Sequence, residues 1–228
     1  MANRSAEEAE KNNIELMGET LGRQYSLLWQ EVVAVHAIWG EYEELFGTSS
    51  ERVALLNRAA RWFFHLIQEE LWTTTLLRIA RLTDPPTTGK KANLTIQNLP
   101  ELVDDSATKA RVEKLVLEVL DATVFCRDWR NRWIAHRDLP LALKEDARPL
   151  EAASRIQVTQ ALKAIAAAIN AVQFHFKDGE THFEVISSDN AVSLLYILDD
   201  GLRAREQRLE RIRSGTATKE DLAPRRKL

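Results

Sequence analysis

Residues 106–139, SATKARVEKLVLEVLDATVFCRDWRNRWIAHRDL, set the fold class. Val112, Leu115, Val119, Ala122, Cys126, Trp129, Trp133 and His136 recur at steps of three and four residues, the period of one helix face. This predicts one long helix capped by Ser106, with Trp133 in the core and His136 closing a core-facing seam. The same stretch gathers chemistry. Arg130 is a permanent cation able to fork onto a phosphate, and His136 can exchange a proton near neutral pH. Asn131 stands between two tryptophans, a helix position that an amide gains little from unless its hydrogen bonds are used.

Outward from this seam the rhythm repeats. Residues 5–46 read as helix in two pieces around Gly18 and Gly22, with Leu28, Val32, Val35 and Trp39 as the apolar stripe. Thr48 and Glu51 have capping-box spacing ahead of a second helix that runs to about Arg81, where Thr83-Asp84-Pro85-Pro86 ends it. On that helix Trp62, Phe63 and Phe64 read as core. Residues 83–105 read as a loop with a short helical turn near Leu94 to Gln97. After Pro140 and Pro149, a further helix carries Val158, Leu162, Ile165, Ile169, Val172 and Phe176. The turn signal Asp178-Gly179 admits a small hairpin near 173–186, and Ser188 opens a last helix seamed by Leu195, Leu198, Leu202, Leu209 and Ile212. The expected fold is all-α, a bundle of long antiparallel helices. The expected organisation is an N-terminal helical arm over 1–48, a helical domain over 49–214 and an unstructured polar tail over 215–228.

Composition agrees. With 228 residues, 45% of them hydrophobic, the chain can bury a sizeable core, and its 8 glycines and 6 prolines are few, as in helical proteins. The single cysteine, Cys126, leaves no internal disulfide and no Cys-based zinc site; inside the seam it reads as an inert thiol. The first residues lack the apolar run of a secretory leader and no stretch is long and uncharged enough to span a bilayer, so a cytoplasmic protein with no membrane association is expected. A net charge of −3 argues against wholesale electrostatic binding to nucleic acid and leaves room for a local basic patch. Arg127, Arg130, Arg132 and Arg137 form one around His136, opposed by Asp128 and Asp138. No phosphate-binding glycine loop, dinucleotide fingerprint or serine-hydrolase elbow is present.

The blander readings are specific. His136 would be a packed core histidine, and Arg127 and Arg132 would pair with Asp128 and Asp138 as surface charge. His65 and Glu69, four residues apart, read as a solvent-facing pair, since two ligands do not make a metal site. Lys90 and Lys91, in a glycine-containing loop, are candidate phosphate contacts. The last helix is rich in arginine (Arg203, Arg205, Arg208, Arg211, Arg213) and could guide RNA, partly cancelled by Glu206 and Glu210. On an ideal helix Arg130 and His136 lie about 120° apart around the axis. Either the helix ends or distorts near Ala135, or a second copy of the motif completes the site.

Arg130-Asn131, four further residues and His136 resemble the R-x(4 to 6)-H signature of the HEPN superfamily. Ala135-His136-Arg137-Asp138-Leu139, with Arg81-Leu82-Thr83-Asp84-Pro85, is similar to its abortive-infection U branch. The resemblance runs from about Ser50 to the end of the last helix. It implies a metal-independent, cofactor-free endoribonuclease in which the RNA 2′-hydroxyl attacks its own phosphate. Arg130, Asn131 and His136 would be catalytic, and Arg127, Arg132, Arg137, Lys90 and Lys91 would contact RNA. It also implies a homodimer whose motifs share a cleft, and a toxin or antiphage abortive-infection role with an antitoxin protein as a partner. The alternative is a non-catalytic HEPN module that binds RNA or a nucleotide, or only dimerises.

Overall fold

The computed structural model describes residues 5–186 and 190–224, so the expected helix start at Ser188 lies outside the described residues. Among them the fold is all-α, with one ribbon of two short strands. The chain folds as two compact units, one of Met1–Gly40 with Glu70–Ser187 and one of Glu41–Glu69 with Ser188–Leu228.

The first unit opens with α1 (Ala6–Met17), started by a capping box between Ser5 and Glu8 and stopped at Gly18, whose φ of 81° suits glycine. α2 (Glu19–Tyr42) then turns back so closely that a Cβ on Gly22 would lie 2.6 Å from the Ile14 backbone. The first helical stretch up to Gly40 groups with Glu70–Ser187 in this unit. Its stripe of Leu28, Val32, Val35 and Trp39 is buried, as are Val158, Leu162, Ile165, Ile169 and Val172 on α7 (Arg155–Lys177). The Tyr25 hydroxyl donates to Gln173 Oε1 at 2.8 Å and the Trp39 indole to Thr159 Oγ1 at 3.2 Å. These partners run in opposite order along the two helices, which makes α2 and α7 antiparallel.

The C-terminal turns of α3 (Ser50–Leu82) belong to this unit and are closed by the loop that follows. Thr95 Oγ1 donates to Leu82 O at 3.0 Å, and Gln97 Nε2 donates to the carbonyls of Thr83 and Asp84, both at 3.0 Å. Orphan carbonyls at the helix end are thus answered, and Asp84 is fixed. The loop holds β1 (Thr87–Thr88) and β2 (Lys91–Ala92), paired antiparallel around Gly89 at φ 61°, and 3-10 turns at Ile96–Asn98 and Pro100–Leu102.

The long seam helix starts one residue earlier than read from sequence, capped by Asp105 rather than Ser106, and comes in pieces. α4 (Ser106–Ala122) ends where Thr123 turns its hydroxyl onto Val119 O, and α5 (Val124–Trp129) follows. α4 packs on α7, with Thr108 Oγ1 3.0 Å from His175 Nδ1. The hairpin expected near 173–186 is absent. Residues up to Lys177 stay in α7, Asp178 takes a left-handed cap, and Asn170 satisfies both backbone groups of Thr181. Phe183, 1% exposed, is buried against the rings of Trp29 and His36, so hydrogen bonds that a hairpin would have made go to α7 instead.

The second unit contains a π-turn at Glu43–Gly47, the first turns of α3, α8 (Asn190–Arg213) and α9 (Lys219–Leu222). The region expected to be an unstructured tail is ordered through residue 224: Arg211 pairs with Asp221, Arg208 donates to the carbonyls of Asp221 and Ala223, and Thr218 and Asp221 form a capping box. Two arginines of the expected RNA guide are spent on that clasp. The reading of Trp62 and Phe63 as core also fails: they are 70% and 56% exposed, and only Phe64 is buried. α3 leaves helical geometry at Ala60 (φ −162°, ψ 73°), so the wheel that runs through Leu56 cannot be carried on to them.

Candidate functional site

The turn after α5 and the bend that follows it carry the motif residues. Arg130–Ile134 forms a π-turn: Ala135 N–H donates to Arg130 O at 2.8 Å, five residues back, and Asp138 N–H to Arg132 O at 3.1 Å, six back. The helix therefore distorts near Ala135, the first of the two ways to reconcile Arg130 with His136, and a regular wheel no longer describes their relation. Pro140, in the first turn of α6 (Leu139–Leu143), has no N–H to prolong the earlier helix.

His136 lies in the bend after this turn. It is exposed, not at the inner end of a seam, and no described residue hydrogen-bonds its ring. Its nitrogens are open to solvent and to any ligand.

Arg130 is held in place. Its guanidinium pairs with Asp84 through Nη1, and Nε donates to Asn131 Oδ1 at 3.0 Å. Both ion-pair side chains are mostly covered, 24% and 19% exposed. Asn131 thus spends its oxygen on Arg130, which accounts for an amide at this place. Nη2 remains available, since an arginine carries five N–H donors and these contacts use two.

Asp84 was not among the site residues read from sequence. The signal was present in the Arg81-Leu82-Thr83-Asp84-Pro85 stretch, which the loop closure of α3 brings to the motif.

The remaining arginines divide. Arg132 is a strut: Nε donates to Asp138 at 3.1 Å, Nη1 to Pro149 O at 3.2 Å and lies 3.5 Å from Asp128, and Nη2 donates to Arg148 O. It ties residues 148–149 to the motif turn. Asp128 completes the brace by accepting from Arg148 and from Glu151 N–H, both at 2.9 Å. Burial is the largest influence on its carboxyl and opposes charging, yet the Glu151 and Arg148 hydrogen bonds and the charges of Arg132 and Arg148 outweigh it and lower its pKa. Trp129 joins the brace through its indole, which donates to Glu151 O at 2.9 Å.

Arg137 lies over the face of Trp133, 3.9 Å from the ring centroid, and both are exposed. Trp133 is thus not the core residue predicted. Arg127 keeps Nε and Nη2 buried without a partner among the described residues. Lys90 and Lys91 are exposed at the tip of the β1–β2 ribbon, and among the described residues no hydrogen bond or ion pair joins them to the motif. His65 and Glu69 form the exposed pair expected, 3.7 Å apart. Cys126 is buried, and burial pushes its thiol pKa up, which makes it inert as a nucleophile. Among the described residues no three His, Cys, Asp or Glu side chains are grouped to hold a metal.

A family model, AbiU2 of the HEPN superfamily, matches residues 18–194, well over half of the chain. The chain is a member of the AbiU2 family. This HEPN family, named for abortive infection, takes in α2, the Asp84 loop, the motif turn and α7 in one match. The match begins within the first helical stretch, earlier than the Ser50 at which the motif resemblance starts. No curated protein and no solved structure matches the chain. No described helix is long and apolar enough to cross a membrane.

Proposed function

We propose that this AbiU2-family chain is a metal-independent endoribonuclease acting in abortive infection. The observation that supports the reading is the presence, on one π-turn and the bend after it, of a guanidinium clamped by Asp84 and Asn131 and of an exposed, unpartnered His136. The RNA 2′-oxygen would bond to the adjacent phosphorus and lose its proton, the P–O5′ bond would break, and the 5′-oxygen would take up a proton. His136 handles proton transfer, and Arg130 meets the charge that builds on the phosphoryl oxygens. Asp84 and Asn131 are positioning residues that fix the guanidinium before substrate arrives. Arg137 is an RNA contact at the rim, Lys90 and Lys91 serve a more distant stretch of strand, and Arg127 is a further cation. Arg132 braces the turn.

A homodimer forms part of the proposal. Trp133, Leu139 and Leu143 expose 39%, 66% and 57% of their surface on and just after the motif turn, an apolar rim suited to a second copy.

The test is cleavage of RNA by purified protein in EDTA. Product ends should be 2′,3′-cyclic phosphate and 5′-hydroxyl, and a 2′-deoxy residue at the scissile position should block the reaction. Intact RNA after incubation with folded dimer would transfer the assignment to the second reading, a non-catalytic module that binds RNA. One observation favours that reading: Asp84 already neutralises Arg130 in the free protein.

A further inference from the structure

The second unit contains a groove of about 550 Å³ on one face of α3. Its floor is apolar, from Leu56, Phe64 and Phe46. Asn57, Arg61 and Gln68 line it with polar groups, and none of these three has a hydrogen bond or ion pair among the described residues. Trp62 stands at its edge, 70% exposed, with its ring 5.5 Å from that of His65 and tilted by 48°. The break in α3 at Ala60, which no Pro or Gly explains, falls between Asn57 and Arg61.

An exposed indole, a cation with no carboxylate partner and two side-chain amides around an apolar floor form a combination with a specific chemistry. A flat ring can stack on the indole, the amides can pair with the donors and acceptors on its edge, and the guanidinium can meet a phosphate. The volume lies within the range of small-ligand sites. Nearby Arg58 is occupied by Glu206 at 3.1 Å, which leaves Arg61 as the cation facing the groove. We propose that this groove binds a nucleoside phosphate, with the base on Trp62, its edge on Asn57 and Gln68, and the phosphate on Arg61. The ligand is either a free nucleotide or one residue of a single RNA strand. The site is distinct from the motif turn and does not rest on the cleavage reading.

The test is calorimetric titration of the full chain with AMP and with adenosine, and anisotropy with a fluorescent 2′-O-methyl oligoadenylate, which cannot be cleaved through its 2′-oxygen. AMP should bind more tightly than adenosine. Trp62→Ala should weaken binding roughly 5- to 150-fold, the usual worth of one stacked base, with Trp62→Phe restoring much of it. Arg61→Ala should erase the advantage of AMP over adenosine at this groove, and the dependence on Trp62 and Arg61 should persist in an Arg130→Ala background. Trp62 and Arg61 are exposed, so these variants should fold, and circular dichroism checks it. Binding of both probes identifies a free nucleotide as sufficient; binding of the oligonucleotide alone, still dependent on Trp62 and Arg61, identifies an RNA strand. The proposal is overturned if neither probe binds, if binding ignores Trp62 and Arg61, or if Trp62→Ala changes only the oligomeric state in sedimentation, which would make the groove a protein interface.

Discussion

The two halves of the stretch from Ser106 to Asp138 share one apolar rhythm and have opposite fates. From Val112 to Cys126 the rhythm largely holds: Val112, Val119 and Cys126 are fully buried, while Leu115 and Ala122 are half-buried. From Arg127 to Asp138 it continues through Trp129 and Trp133, yet Trp133 and His136 are exposed and the helix gives way to a π-turn. Apolar period reports burial only while helical geometry and a packing partner both last. In the first half α7 is that partner. In the second half polar groups set the backbone: Arg132, Asp128 and Asp138 hold the turn and its flanking loop in place.

The largest expected effect separates the halves by function. If the motif turn cleaves RNA as proposed, His136→Ala should lower cleavage by about 100- to 10,000-fold, the range for a positioned acid or base, without lowering the melting temperature, because the ring is exposed and unbonded. Arg130→Ala should lose activity comparably. Asp84→Asn should keep the fold and lower kcat, since it removes the charge that positions Arg130. Comparable activity in all three variants would leave the turn a structural feature.

Next in size is a contrast in packing between two aromatic residues on either side of the break. Phe125, 5% exposed, should cost about 3 to 5 kcal/mol when replaced by Ala, as judged by denaturant unfolding. Trp133, 39% exposed, should cost only about 1 kcal/mol. Equal losses would mean that Trp133 is covered in solution, as the homodimer requires, and the measurement should then depend on protein concentration.

Helical class and the α2, α4 and α7 seams were legible because each rests on local period. The position of His136 was not. A π-turn differs from an α-turn by one hydrogen-bond step, and its cause here is long-range: residues 148–151 close onto Arg132 and Asp128. The partner of Arg130 was hidden for the same reason, since Asp84 lies 46 residues away along the chain. Trp62 and Phe63 were misread because the break at Ala60 has no Pro or Gly to announce it.

Arg132 and Trp133, adjacent in sequence, invert the expectation that the ring is core and the cation surface. Arg132→Ala should lower the melting temperature more than Trp133→Ala. It removes hydrogen bonds to two loop carbonyls and to Asp138, and weakens the brace around Asp128, whose side chain is only 10% exposed.

The smallest effect reads the brace through acid. Because the folded protein holds the Asp128 carboxyl below its ordinary pKa of about 3.9, its contribution to stability is fully present above that value and is lost as pH falls through the lower folded value. Glu151 N–H donates directly to this carboxylate, so its amide resonance should follow the titration, with a midpoint below about 3.9. Asp128→Asn should abolish that transition and lower stability at pH 7, and the variant should approach the parent as pH drops past the midpoint. Other carboxylates titrate in the same window, but they do so in both proteins, and the difference between the two isolates Asp128. A midpoint at or above the ordinary value would show that burial outweighs the Glu151 and Arg148 bonds, and the second half of the stretch would then lack the polar brace that sets it apart from the first.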